Sequence, residues 1–472
     1  METDTLAQRL ATEAVRYYGQ RESIPPATLA RVQNHLLDTL GNALGGAKAE
    51  SSAQLRAALG HVQRGMFTVV GVGGLAQAEY AALLNGAAAH TLEMDDTHNA
   101  SSTHPGSVVV PAALAIAEMT HASGRDLLAA IIAGYQVTTR LGMALGPAEQ
   151  YARGFHPTST CGVFGAATAA GLLLDFDACT LAVTYGICGS LSSGLIEFLG
   201  DGSLVKRLHP GWAAFGGITA ARLARAGFTG PVTVFEGMHG LFQALSGAAR
   251  PDLLAGDWDA PEILQTSIKA HACCRYMQAP IDALLAIVRE HDIRPEQVER
   301  VEFGLLGVAW NVIAEPRVQK LDPHTVVDAQ FSMPYGGAVA LARGRASVQE
   351  FSDEALDAPD IRALLPRMHC VHDPSLDPLY PRQWPATATV YLRDGQRLHA
   401  RVEDPKGDPA NPLTDDELAQ KFRSLATLAV DGERADRIVA AVQSLADSPS
   451  VLPLMELLGG VPAHLRATAV HL

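Results

Sequence analysis

Charge is scarce in this chain of 472 residues: Asp, Glu, Lys and Arg fill only 18% of positions and aromatic residues 6%. With hydrophobic residues at 48%, the composition indicates a globular protein rich in buried helix, long enough for more than one domain with ample core. Basic residues are the scarcer sign, and the net charge of −14 excludes the basic face that nucleic-acid binding needs. Attraction for an anion would have to be local. The six cysteines (Cys161, Cys179, Cys188, Cys273, Cys274, Cys370) form no C-x-x-C pair and no dense framework, which fits a reduced compartment. The start, METDTLAQRLATEAV, lacks the basic-then-apolar pattern of a signal peptide, so a cytoplasmic address is expected. The longest run free of charge and histidine, Ala178 to Ile196, is broken by glycines and serines. It reads as a core helix with its exit loop, and no membrane partner is expected. There is no G-x-G-x-x-G after a strand, no Walker loop, no G-x-S-x-G elbow and no internal repeat.

Against that background one stretch stands out. HTLEMDDTHNASSTHPGS, His90 to Ser107, holds three histidines (His90, His98, His104), three acids (Glu93, Asp95, Asp96) and six hydroxyl residues in eighteen positions. AEYAALLNGAAA precedes it and VVVPAALAIA follows it. Flanks without a polar face read as interior helices. The joint then lies in or near the core, where an unpaired polar group costs on the order of 2–7 kcal/mol. Helix capping by Asp or Thr would use one or two of these groups and leave the rest unexplained. A site uses more of them. Pro105 or Pro111 can open the second helix, whose N-terminus attracts an anion, and His98 or His104 titrates near neutrality and so suits proton transfer. His with Asp is also metal-ligand chemistry, but H-x7-H and H-x5-H do not set two ligands on one helical face, and no metal is expected.

Taken in order, Pro25 and Pro26 precede Leu29, Val32, Leu36, Leu37 and Leu40, an amphipathic helix running to Gly41. Residues 107–119 and 126–137 continue as helices. In ARGFHPTSTCGVFGAATAAGLLLD, Arg153 and His156 stand at the polar entrance of a helix of small residues, repeating the layout of the opening stretch. DGSLVKRLHPGWAAFGG sets Lys206, Arg207 and His209 before another apolar helix, either as a solvated turn or as an anion site. Up to Phe228 no strand is convincing. SIKAHACCRYMQAPIDALLAI sets Lys269, His271, Cys273, Cys274 and Arg275 ahead of a helix. VERVEFGLLGV reads as a strand, and ATATVYLRDGQRLHARV as two strands around Asp394-Gly395. Between them VVDAQFSMPYGGAVALARG is a helix whose Tyr335 follows a proline; a phenol there usually bonds a carbonyl. Thr414 to Glu417 is a capping box that opens a final helical section.

DDTH followed by THPGSVVVPAALAIAE, then GFHPTS, VKRLHPGWAAFGG, IKAHACC, DAQFSMPY and LTDDELAQKF resemble the MmgE/PrpD family in order and spacing, from about Thr5 to about Val430. The resemblance implies a mainly α fold, with a large all-helical domain made from both chain ends (1–265 and 404–472) and a smaller α+β lid inserted at 266–403. It also implies a homodimer acting on a small anionic carboxylate with neither metal nor organic cofactor. Carried over by position, catalytic roles fall on His104, His156, Lys206 and Tyr335. Substrate contacts fall on Glu93, Thr97 and Lys269, and Asp96, Arg207 and Cys274 are expected to join them as substrate-binding residues.

The chemistry so implied is proton abstraction beside a carboxylate, with His104 and His156 as the proton-transfer pair and Lys206 and Lys269 meeting the developing charge. The expected reaction is dehydration of a 2-methylcitrate-like hydroxy-acid by a hydro-lyase. The alternatives are epimerisation or decarboxylation of an iminodisuccinate-like or cis-aconitate-like acid, or carboxylate binding without turnover. The sequence departs from the family pattern in three places: Glu93 stands where Asp is frequent, the loop from Thr97 to His104 is one residue longer than in the decarboxylase branch, and Cys274 and Gln278 stand where relatives place histidine.

Overall fold

The computed structural model describes residues 4–59 and 65–459. Its helices form where caps and periodicity direct. Helix α1 (Leu6–Gly19) opens on a Thr5–Gln8 capping box, and α2 (Pro26–Gly46) on Pro25 and Pro26. The second helix runs past Gly41, where the sequence suggested a stop. Gly41 lies against Phe422, and a Cβ at Gly46 would stand 1.9 Å from the Ala88 carbonyl oxygen. Here glycine admits neighbouring helices instead of ending its own.

Helix α3 (Ala78–Thr91) and α4 (Gly106–Thr120) are the two apolar flanks of the polar stretch, and both are buried along almost their whole length. Pro105 is the N-cap of α4, whereas Pro111 sits inside it. Next come α5 (Gly124–Leu145), α6 (Pro157–Leu173), α7 (Ala178–Leu191) and α8 (Val205–Arg225). By length and composition α5 is the one helix among the described residues that would cross a membrane, yet 89% of its most apolar window is buried within the protein. Helices α3 and α8 cross at paired glycines: a Cβ on Gly86 would lie 2.9 Å from the Gly211 Cα. That crossing brings Lys206 and Arg207, one turn back along α8, to the end of α3.

This half is not wholly free of strands. Phe67–Val69 (β1) pairs with Gly74–Ala76 (β2), and Thr97–His98 (β3) pairs antiparallel with Thr266–Ser267 (β4). They are two or three residues long, too short for alternation to reveal. Further on, α9 (Gln278–Glu290) and α10 (Met333–Arg343) accompany a four-stranded sheet in the order β6-β5-β7-β8. Strand β5 is Val298–Leu305, β6 Met368–His372, β7 Ala386–Leu392 and β8 Arg397–Val402. The strand at 298–305 and the hairpin turning at Asp394-Gly395 follow the sequence reading; Gly395 has φ +91°, which the turn requires. Strand β6 is parallel to β5 and adds a partner that the sequence reading lacked.

The chain closes with α11 (Asp415–Ala426), opened by the Thr414–Glu417 capping box, and α12 (Gly432–Gln443). One hydrophobic cluster draws on residues 7–268 together with 418–458, and a second on 272–398 together with Met94 and Leu425. Met94, in the polar stretch, therefore packs on the second cluster, as Leu92 does, while Ala89 before them and Val108 after them belong to the first.

Candidate active site

Helix α3 ends at Thr91, and Arg207 donates to the Thr91 carbonyl, a cation at a helix C-terminus. Glu93 then takes a left-handed backbone, φ +55°, unusual for a non-glycine residue. Its carboxylate pairs with Lys206, and Lys269 Nζ reaches its Oε2 at 3.5 Å and its carbonyl at 3.0 Å. Burial opposes the charged carboxylate, but the two ammonium groups hold Glu93 well below the usual carboxylate range. Lys269 comes from far along the chain, placed by the two-residue pairing of β3 with β4 just before it. Burial works against its charge too, and Glu93 and Asp95 more than offset that, raising its pKa.

Asp95 is the hub. Its Oδ2 lies 2.6 Å from His90 Nδ1 and 3.5 Å from His104 Nδ1, and its Oδ1 lies 3.7 Å from Lys269 Nζ. His104 Nδ1 also lies 2.8 Å from the Asp96 carbonyl, which only accepts, so Nδ1 carries the proton and Nε2 of the neutral ring keeps its lone pair. His90 follows the same logic: its Nδ1 donates to Asp95, and its buried Nε2 has no hydrogen-bond partner. The rings of His90 and His104 are 4.9 Å apart, and those of His90 and His156 6.1 Å. His156 sits at the N-cap of α6 and faces His209, Nδ1 to Nδ1, at 3.0 Å. Burial above all depresses these imidazoles, with neighbouring histidines and lysines adding to it and Asp95 opposing it at His90 and His104: His104 falls to about 3, His209 to about 4, and His90 and His156 also shift downward. At neutral pH the cluster is therefore a set of neutral imidazoles beside two buried lysines.

The structure gathers most of the sequence candidates: Glu93, Thr97, His104, His156, Lys206 and Lys269 converge, with Thr97 Oγ1 3.3 Å from His104 Nδ1. Arg207 and Cys274 stand behind them. Gln330 accepts from Arg207 at 3.4 Å, donates to the Leu92 carbonyl at 3.2 Å, and takes the Cys274 N–H on its own carbonyl at 2.9 Å. Burial pushes the Cys274 thiol up, away from thiolate chemistry. Gln278 is a staple: its amide bonds the backbone of Ala270, His271 and Cys273, fixing the segment that carries Lys269.

Two candidates are placed apart from the cluster. Tyr335 is fully buried in the second hydrophobic cluster, where its hydroxyl donates to the Glu350 carbonyl at 3.0 Å and its ring meets Phe351. It touches none of the charged cluster. Asp96 points away from it: its carboxylate accepts from Tyr135 at 2.6 Å, from His35 at 2.9 Å and from the Gly106 N–H at 2.9 Å, capping α4. Sequence reasoning set His90, Asp95 and His209 in candidate stretches but gave them no role, and it did not single out Gln330. The H-x4-D spacing of His90 and Asp95, across a helix end, was the available signal.

His90, Asp95 and His104 offer donor atoms within 4.8 Å of one another. As a metal set they fit poorly, because His90 Nδ1 and Asp95 Oδ2 are spent on each other and Lys269 already brings positive charge to Asp95.

Residues 9–254 match the MmgE/PrpD N-terminal domain and residues 271–447 the MmgE/PrpD C-terminal domain. The chain belongs to the MmgE/PrpD family. It is 30% identical over 460 residues to a cis-aconitate decarboxylase-like protein, oryM, of Aspergillus oryzae, covering 93% of this chain and 94% of that one. It is 26% identical to a cis-aconitate decarboxylase of Aspergillus terreus, covering 93% of each chain, and 28% identical to that of Mus musculus, covering 81% and 78%. The segments that carried the MmgE/PrpD resemblance include those that build the cluster. Even LTDDELAQKF contributes, since Lys421 donates to the Met94 carbonyl at 2.7 Å and pairs with Asp38 at 2.5 Å, pinning the polar stretch from behind.

Proposed function

We propose that this protein is a metal-independent decarboxylase of a small unsaturated tricarboxylate of the cis-aconitate type. The observation that carries the reading is the convergence of two buried ammonium groups, Lys206 and Lys269, with the neutral imidazoles of His90, His104 and His156. Membership of the MmgE/PrpD family supports a small carboxylate substrate. Relatives similar along most of their length bear the decarboxylase name, which favours carbon dioxide loss over the dehydration expected first.

In the proposed reaction the C–C bond to one carboxylate breaks, and carbon dioxide leaves without its bonding pair. That pair spreads through the adjacent alkene toward a second carboxylate. Lys206 and Lys269 meet the developing charge, where preorganised cations act most strongly in a site shielded from water. One proton then closes a new C–H bond, so each turnover consumes one proton. His104 and His156 are the proposed donors. Substrate carboxylates beside them raise the depressed imidazole pKa values and so charge the donor only when its proton is needed.

The test incubates the purified protein separately with cis-aconitate and with 2-methylcitrate. The expected result is carbon dioxide release from the first. Alkene absorbance growing from the hydroxy-acid, with no carbon dioxide from cis-aconitate, would reinstate the hydro-lyase reading.

A further inference from the structure

We infer that Glu93 is an internal competitor for substrate: its carboxylate occupies the subsite that a substrate carboxylate takes, and binding requires its displacement. The inference rests on the carboxylate-lyase reading and adds a control on affinity. Glu93, Lys206 and Lys269 are only 4%, 6% and 2% exposed, so two ammonium groups are buried around one carboxylate that the protein itself supplies. Lys206 pairs with one oxygen and Lys269 lies 3.5 Å from the other, the arrangement expected for a bound substrate carboxylate. Both lysines would otherwise be buried cations without sufficient counter-charge, an expensive state.

The backbone makes displacement feasible. Glu93 holds a positive φ at the exit of α3, a conformation that costs a non-glycine residue free energy. Rotation back to an ordinary conformation releases that cost and withdraws the side chain. Lys269 keeps its neighbour Asp95 whichever carboxylate lies between the lysines, so the anion subsite survives the exchange. If Glu93 instead contacted substrate directly, its removal would weaken binding. If it competes, removal strengthens binding, because ligand alone then neutralises the lysines. The two roles thus predict opposite signs.

The probe is propane-1,2,3-tricarboxylate, which has neither alkene nor hydroxyl to react, titrated calorimetrically into the full-length protein at pH 6.5. Glu93→Gln is expected to lower Kd about tenfold or more, an order typical of removing one competing buried charge. Glu93→Asp, which keeps the charge but shortens the reach by a methylene, should lower it less. It also decides the matter should the Gln variant fail to fold. Unchanged or weaker binding by the variants overturns the inference while leaving the lyase reading intact. Binding by neither wild type nor variants overturns both.

Discussion

Asp95 and Asp96 are neighbours in sequence, equally buried, each bonded to a histidine, and they do opposite work. Asp96 faces the helical body, where Tyr135, His35 and the Gly106 N–H account for both oxygens. Asp95 faces Lys269, His90 and His104, and its Oδ1 has only a 3.7 Å ion-pair contact. A saturated hydrogen-bond shell marks a structural carboxylate, and an incompletely satisfied one among cations and imidazoles marks a candidate for a working one. The difference lies in the direction in which each side chain leaves the irregular backbone between α3 and β3.

The strongest way to break this comparison is to neutralise each acid in turn. Asp95→Asn should cost activity about ten-thousandfold, the order seen when a group orienting a catalytic imidazole is lost, with a small change in thermal midpoint. Asp96→Asn should do the reverse. It leaves the His35, Tyr135 and Gly106 donors facing an amide, and leaving buried donors unsatisfied costs about 1–3 kcal/mol. Denaturant unfolding and initial rates on both variants decide it, and equal effects on rate and stability would erase the distinction drawn here.

Next in size is His104→Gln, expected to lower kcat by about a hundredfold to ten-thousandfold, as general acid–base residues do. The matching substitution on the other side, His35→Gln, should leave kcat within a few-fold while lowering stability, because His35 reaches the site only through the Asp96 carboxylate.

Much of this was legible in the sequence, for reasons that also explain the misses. Proline pairs, capping boxes and Asp394-Gly395 act within a few residues, so the starts of α2 and α11 and the β7–β8 turn could be read locally. The MHCVH segment of β6 becomes a strand only through parallel pairing with β5, more than sixty positions earlier, and nothing local encodes that. The polar stretch stood out as a candidate site from its composition alone. Which of two adjacent acids enters the site depends on backbone direction, which composition does not carry. Tyr335 shows the limit of positional transfer from a resemblance: the local reading of a phenol bonded to a carbonyl is the one the structure bears out.

Tyr335 supplies a smaller test. Tyr335→Phe removes one buried hydrogen bond, to Glu350, and should cost about 0.5–1.5 kcal/mol of stability with kcat within twofold of wild type. A large loss of kcat would return the phenol to the reaction and demand a rearrangement that carries it to the cluster.

The smallest effect sharpens the comparison by showing where the two sides agree. His35 and His104 lie on opposite sides of the pair of acids, yet burial lowers the pKa of both. His104 falls to about 3 from an ordinary value near 6.5, so the folded protein holds it neutral at pH 7 and at pH 6 alike. The unfolded chain binds a proton as pH falls through 6.5 and the folded chain does not. Acidification therefore favours unfolding, and the loss continues until pH nears the folded value. Between pH 7 and pH 6 one such group accounts for about 0.7 kcal/mol. His104→Gln should accordingly lose about that much less stability than wild type over this interval, measured as the difference of two denaturant-unfolding free energies. An unchanged pH dependence would mean that His104 titrates in the folded protein as it does in the unfolded chain. A gain in wild-type stability of similar size on acidification, relative to the variant, would mean that His104 is already protonated in the folded protein without substrate. The resting enzyme would then hold its proton donor charged in advance, and substrate carboxylates would no longer be needed to charge it.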